Sequence, residues 1–211
     1  MPDEPLFVEV WSDYVCPWCY LMHTSFRKLD LKAEGIDLHL RAYELHPRER
    51  PWPESEREAK RRQIAAAFPQ LKARAEQEYG VDLVQGPWGV DSRLAHYGAK
   101  AAEAMEVGAR YHAAVFEAYW LAGRDISDRA VLVEIAQGVG LDAEPFRAAL
   151  DLPEIAEAVR QEERQADRFG VNGVPATVFG GKLLLSGAVP LAALREAVAE
   201  ARAHLAAHQD A

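Results

Sequence analysis

Leu6-Phe7-Val8-Glu9-Val10-Trp11-Ser12-Asp13-Tyr14-Val15-Cys16-Pro17-Trp18-Cys19-Tyr20-Leu21 is the stretch on which the fold of this chain turns. From Phe7 to Trp11, apolar residues flank a single acid, Glu9, as a largely buried strand requires. From Cys16 onward, Tyr20, Leu21, Phe26 and Leu29 supply the apolar positions of a helix, and Gly35 closes the unit. The strand therefore delivers a pair of cysteines to a helix start. Such a start presents N–H groups without helical partners and a partial positive charge, and both favour a thiolate over a thiol. Cys16 and Cys19 are the only cysteines in the chain.

Further along the chain, Ile36 to Tyr43 alternates with period two and predicts a second strand ending before His46-Pro47. Strand, helix and strand in this order form a βαβ unit. Near the other end, Ala176-Thr177-Val178-Phe179, the Gly180-Gly181 turn and Lys182-Leu183-Leu184-Leu185 predict a hairpin. A final helix follows, with Leu191, Leu194, Val198, Ala201 and Leu205 on one stripe. Between these ends, Glu54 to Phe169 is rich in Ala, Glu, Arg and Leu and reads as a helical block, with Val81 to Val84 its one strand candidate. Pro69 is expected to kink or split its first helix. Further helix starts are predicted at Asp91 or Ser92, at Ser127 or Asp128, and at Asp142 with Pro145 just inside.

The chain has 211 residues, 49% of them hydrophobic, enough to bury a core, and its length suggests one core carrying a large insertion. Its 33 acidic against 24 basic residues give a formal charge of −9, which repels a phosphate backbone, so no nucleic-acid partner is expected. The acidic opening Met1-Pro2-Asp3-Glu4-Pro5 does not resemble an export signal, and no apolar run reaches the length of a bilayer, so no membrane partner is expected. The expected location is the cytoplasm, where a lone cysteine pair is more often redox-active or metal-binding than structural.

Two residues between cysteines at a helix start let a small disulfide ring open and close without refolding. Exchange runs by thiolate attack through a mixed disulfide. Cys16, at the exposed helix end, is expected to attack; Cys19, one turn in, is expected to resolve the mixed species. Pro17 and Trp18 shape the loop and leave an apolar rim. Trp18 adds no positive charge, so the helix end is the main activator and an intermediate potential is expected. His23, one turn beyond Cys19, is a weaker tuning candidate. A structural zinc site would need four ligands; Cys16, Cys19 and His23 supply three, with no fourth at telling spacing. A proline directly before a strand, as Pro175 is, ordinarily marks only a strand start.

Ser12 to Leu21, together with Gly170-Val171-Asn172-Gly173-Val174-Pro175-Ala176, resembles the FrnE-like branch of the DsbA family of thiol oxidoreductases. The similarity continues through Tyr43-Glu44-Leu45-His46-Pro47, Ala95-His96, Phe116 to Trp120, Gly123 to Asp128 and Ser186-Gly187-Ala188, nearly the whole chain. It implies an α/β thioredoxin fold with a large all-helical insertion between the βαβ and ββα halves. Residues 1–47 and 170–211 would form a discontinuous thioredoxin-like domain and 48–169 the insertion. It also implies a cis Val174-Pro175 bond beside Cys16, offering backbone to an extended substrate chain by strand addition. Cys16 and Cys19 would be catalytic, with Pro17, Trp18, Val174 and Pro175 contacting substrate.

The chain departs from the pattern in places. Where thioredoxins proper carry a buried acid six residues before the first cysteine, this chain has Val10, and Asp13 has no assigned role. His46 stands where the branch often has Asn, and either faces the site or ends the strand. His96 reads as packing or capping in the helical block. The absence of further cysteines excludes a second redox relay.

The activity implied is a thiol-disulfide oxidoreductase or isomerase acting on protein or small-molecule disulfides, with a cellular reductant or oxidant as partner. No tightly bound cofactor is expected; glutathione is a candidate redox partner. The alternative enzyme is a glutathione-dependent isomerase or transferase of the kappa or 2-hydroxychromene-2-carboxylate isomerase type, which shares the architecture but generally has serine at the first active position. A third reading is an interaction module whose cysteines hold a metal.

Overall fold

A computed structural model describes residues 4–46 and 53–207 of the chain. The described chain divides into two units, residues 1–43 with 162–211, and residues 44–161. The first unit is built around a four-stranded sheet. Strand β1 (Leu6–Ser12) leads into helix α1 (Pro17–Arg27) and strand β2 (Ile36–Ala42). After the helical unit come β3 (Ala176–Phe179), β4 (Leu183–Ser186) and a C-terminal helix, which is α8 (Leu191–Ala207) in chain order.

Sheet order is β2-β1-β3-β4. β1 runs parallel to β2, with Leu6 opposite Ile36 and Ser12 opposite Ala42. It runs antiparallel to β3, with Val10 opposite Thr177 and Trp11 opposite Ala176. The hairpin from β3 to β4 turns at Gly180 and Gly181, whose φ values of 57° and 67° are those of a tight type I′ turn. A side chain at Gly180 would also press a Cβ to 2.5 Å from Leu205 Cδ1.

Period two puts Leu6, Val8 and Val10 on one face of β1, and they meet Met22 and Phe26 of α1 and Leu194, Val198 and Ala201 of α8 in one core cluster. This is the apolar stripe the sequence predicts for the last helix. Trp11 points to the other face and packs with Ala166, Val171, Ala176 and Val178, its indole Nε1 donating to the Glu162 carbonyl at 2.9 Å. The same face carries a charged cluster. Arg41 donates to Glu9 Oε1 at 2.8 Å and to Glu162 Oε1 at 3.1 Å, while Glu162 Oε2 accepts from the Ala42 backbone N–H. These contacts are why residues from 162 onward group with the sheet, eight residues before the boundary expected at 170. The expected boundary at 47 and 48 lies outside the described residues.

In the helical unit, α2 (Glu54–Arg74) is followed by a π-helical turn (Ala75–Tyr79) and then α3 (Arg93–Ala104), α4 (Gly108–Trp120), α5 (Arg129–Gly138) and α6 (Ala143–Ala149). α7 (Pro153–Arg168) crosses the division between the units. Predicted starts are seen at Ser92, Asp128 and Asp142, and the Asp128 carboxylate caps α5 by accepting from Ala130 N–H at 2.8 Å.

Two expectations change here. α2 continues through Pro69 as one helix. The side chain is exposed, so the carbonyl that loses its N–H partner faces solvent, which can hydrogen-bond it. Val81 to Val84 forms no strand: the segment has no ladder partner, and Val84 N–H is satisfied singly by the Trp120 carbonyl at 2.8 Å.

Candidate active site

β1 ends at Ser12, and a tight turn follows in which Cys16 N–H donates to the Asp13 carbonyl at 3.1 Å. The Asp13 carboxylate folds back to accept from Val15 N–H at 3.2 Å. Cys16 then occupies the N-cap of α1 with extended backbone (φ −90°, ψ 117°), and Pro17 takes the first helical position, where its missing N–H costs nothing. The Cys16 side chain makes no capping bond to the helix N–H groups, and the first turn holds no acid. The positive end of the helix is therefore not neutralised by a carboxylate of its own.

Both cysteines are unbridged thiols. The Cys16 thiol donates to the Val174 carbonyl at 3.6 Å, and the Val174–Pro175 peptide is cis, as the resemblance implies. The structure thus brings together four of the six residues expected at the site, from opposite ends of the chain. The other two, Pro17 and Trp18, follow Cys16 and are half-buried.

The order of burial is the expected one, but Cys16 is not open: it retains 4% of its surface and Cys19 1%. The loop carbonyl sitting on the first sulfur explains this, and an incoming partner has to displace that contact. Cys19 is one turn in, held by a hydrogen bond to Cys16 and by the Asp13 backbone N–H at 3.4 Å from its sulfur. Burial pushes the Cys19 thiol well above its ordinary range, Cys16 pushes it further, the Asp13 N–H opposes this, and the Asp13 charge adds to it. At neutrality Cys19 is a protonated thiol.

His23 is pulled down to about 3, first by burial and then by Arg27, so it is neutral at physiological pH and adds no positive charge to the helix. Its expected tuning role is thereby reduced to that of a polar, uncharged ring. His46 and His96 belong to the helical unit, His46 exposed and His96 buried in α3. Among the described residues, no group of three or more His, Cys, Asp or Glu side chains is placed to hold a metal ion. None of the described helices is long and apolar enough to cross a membrane.

Sequence reasoning passed over two residues. Ser12 Oγ and Thr177 Oγ1 are buried without a hydrogen-bond partner. Strand parity, which puts Ser12 on the face of Val10 and Thr177 on the face of Phe179, is the signal that could have found them.

Comparison with known proteins agrees with this fold. The family model described as DSBA-like thioredoxin domain matches residues 7–199. A probable DsbA oxidoreductase from Streptomyces coelicolor, SCO1869, superposes with a TM-score of 0.76 at 28% identity, covering 94% of this chain and 90% of its own. A 2-hydroxychromene-2-carboxylate isomerase superposes with a TM-score of 0.73 at 21% identity, covering 95% and 98%. The cytosolic disulfide reductase DsbM from Pseudomonas aeruginosa does so with a TM-score of 0.66 at 20% identity, covering 97% and 99%, and has also been solved with glutathione.

Proposed function

The chain belongs to the family of DSBA-like thioredoxin domains, and from that membership we propose that it exchanges thiols and disulfides through Cys16 and Cys19. One observation carries the reading. Cys16 sits on the positive end of α1 with its sulfur against the Val174 carbonyl, while Cys19 waits one turn behind as a buried thiol. Cys16 as thiolate attacks a partner disulfide, forming a Cys16–partner bond and releasing the first partner thiolate. Cys19 then attacks Cys16, forming the intramolecular disulfide and releasing the second partner sulfur; two electrons pass from the dithiol to the partner disulfide. Val174, Pro175, Pro17 and Trp18 line the approach, and the loop backbone offers an extended chain a partner for strand addition.

The substrates proposed are protein or small-molecule disulfides, with glutathione as a redox partner, in the cytoplasm. Support comes from the cytosolic assignment of DsbM and its structure with glutathione. Equilibrating the protein in graded glutathione ratios and trapping free thiols tests the reading. A two-electron transition confined to Cys16 and Cys19, abolished by Cys16→Ser, is expected; retention of full disulfide-exchange activity by Cys16→Ser would overturn it.

The likeness to 2-hydroxychromene-2-carboxylate isomerase over nearly the whole chain favours one second reading, glutathione-dependent isomerisation. Full activity of Cys16→Ser on a small glutathione conjugate would establish it in place of the first.

A further inference from the structure

The resolving thiol of the proposed exchange has to lose a proton at the moment it attacks, and Cys16, bonded to the partner at that stage, cannot take it. Cys19 is buried and held above its ordinary range. The titratable groups acting on it are Cys16, which is consumed in the mixed disulfide, and Asp13. One Asp13 carboxylate oxygen is already turned to the Val15 N–H. Val10, the residue of β1 on this face before Ser12, has no polar atom, and β3 brings no charged side chain.

This same corner of the sheet holds two hydroxyls. The Cys19 sulfur accepts from Asp13 N–H at 3.4 Å, which fixes it at the end of β1 beside Ser12. Ser12 lies two residues beyond Val10, and Val10 is the direct partner of Thr177, so the two hydroxyl residues are diagonal neighbours on one face. Such neighbours stand roughly 7–8 Å apart at the backbone, a span one water molecule can bridge between side-chain oxygens. That face is the one covered by α1, through Met22 and Phe26 one and two turns beyond Cys19. Ser12 is 3% exposed and Thr177 0%, and neither Oγ nor Oγ1 has a protein partner. A dry, unpaired hydroxyl forfeits its solvation with nothing in return, so two in one corner call for an occupant.

We propose that Ser12 and Thr177 are positioning residues that hold a buried water against Cys19, and that this water carries the Cys19 proton away during resolution of the mixed disulfide. The inference rests on the thiol-disulfide reading above. In the step, the Cys19 Sγ–H bond breaks, Cys19 Sγ bonds to Cys16 Sγ, and the bond from Cys16 to the partner sulfur breaks with its electron pair going to the partner. The proton passes through the water to the departing thiolate or, where that thiol is strongly acidic, to solvent. The first step, attack by Cys16, uses neither hydroxyl.

The test is stopped-flow reaction of the reduced protein with dithiobis(nitrobenzoate), whose thiolate is coloured. Attack by Cys16 releases one coloured thiolate and resolution by Cys19 a second. In the Ser12→Ala/Thr177→Val double variant the first phase is expected to be unchanged. The second should slow by about tenfold or more near neutral pH, with its pH profile displaced upward by about one unit. Thr177→Ser, which keeps the hydroxyl, should resolve at the rate of the parent. A second phase unchanged in rate and pH profile in the double variant overturns the proposal and leaves the redox reading standing. Release of only one thiolate by the parent protein overturns both.

Discussion

The two faces of the sheet in the first unit solve the same burial problem in opposite ways. On the face covered by α1 and α8, Leu6, Val8, Val10, Ile36 and Phe179 meet Met22, Phe26, Leu194 and Val198, an apolar layer that ends at the Ser12 and Thr177 hydroxyls. On the opposite face, Glu9 and Glu162 are buried around Arg41, and Gln165 adds a donor to Glu9 at 3.0 Å. The first face is apolar, and the second accepts charge where Arg41 and Gln165 donate to Glu9 Oε1 and both Glu162 oxygens have donors. The difference separates roles. The first face carries the cysteine pair at its end, whereas on the second a guanidinium shared between Glu9 and Glu162 gives the chain returning from the helical unit a directional anchor.

Arg41→Met is expected to have the largest effect. Burial pulls the Arg41 guanidinium down, but Glu162 and then Glu9 outweigh it and hold the group above its ordinary value, so it is a firmly charged partner of both acids. Removing it strands two buried carboxylates. Breaking a buried pair costs about 3–5 kcal/mol, and since the Arg41 side chain is 22% exposed, a loss of about 3 kcal/mol is expected in denaturant titration. The triple variant Arg41→Met/Glu9→Gln/Glu162→Gln should recover most of that loss, because the charges that needed each other are gone together. A triple variant as unstable as the single one would mean that shape, not charge, makes this anchor.

Much of this was legible from sequence because the relevant signals are local. The alternation in Ile36 to Tyr43 and the run before Ser12 gave strands, and Ser92, Asp128 and Asp142 gave helix starts because the preference for such residues at a helix start is local, although only Asp128 makes a capping bond. Cys16 and Cys19 were legible because their chemistry depends on a spacing within one turn. The failures share a different cause. Glu9 read as a lone acid in an apolar strand, since its partners Arg41 and Gln165 stand 32 and 156 residues away. Val81 to Val84 has the composition of a strand, but a strand exists only with a neighbour. The closure of the Val174 carbonyl over Cys16 is likewise a contact across the chain, 158 residues apart, so spacing alone implied a more open sulfur than the structure has.

A smaller effect is expected at His23, where α1 holds an ionisable ring neutral while the other face holds a charge. Its folded value of about 3 lies below the ordinary 6.5. Between these values the unfolded chain binds a proton that the folded chain does not, so His23 lowers stability as pH falls from about 6.5 towards about 3 and has no effect at neutrality. The limiting slope is about 1.4 kcal/mol per pH unit, and the ring is partly exposed, so about 1–2 kcal/mol is expected between pH 6.5 and 4.5. His23→Phe should narrow the stability difference between these pH values by that amount. An identical acid dependence in both proteins would show that the ring is hydrated when folded.

The smallest effect is expected where the apolar face meets its two hydroxyls, and its sign is what makes it informative. If Ser12 Oγ and Thr177 Oγ1 are dry, each carries an unrecovered cost of about 1–3 kcal/mol, and Ser12→Ala/Thr177→Val should raise the unfolding free energy by more than about 2 kcal/mol in total. If they hold a water, the double variant trades satisfied hydrogen bonds for apolar contact of nearly the same shape, and the change should stay within about 1 kcal/mol of zero. The second outcome is expected. It would place a hydrated polar corner at the end of the apolar layer, next to the Cys19 thiol, and a large gain in stability would instead make that corner dry.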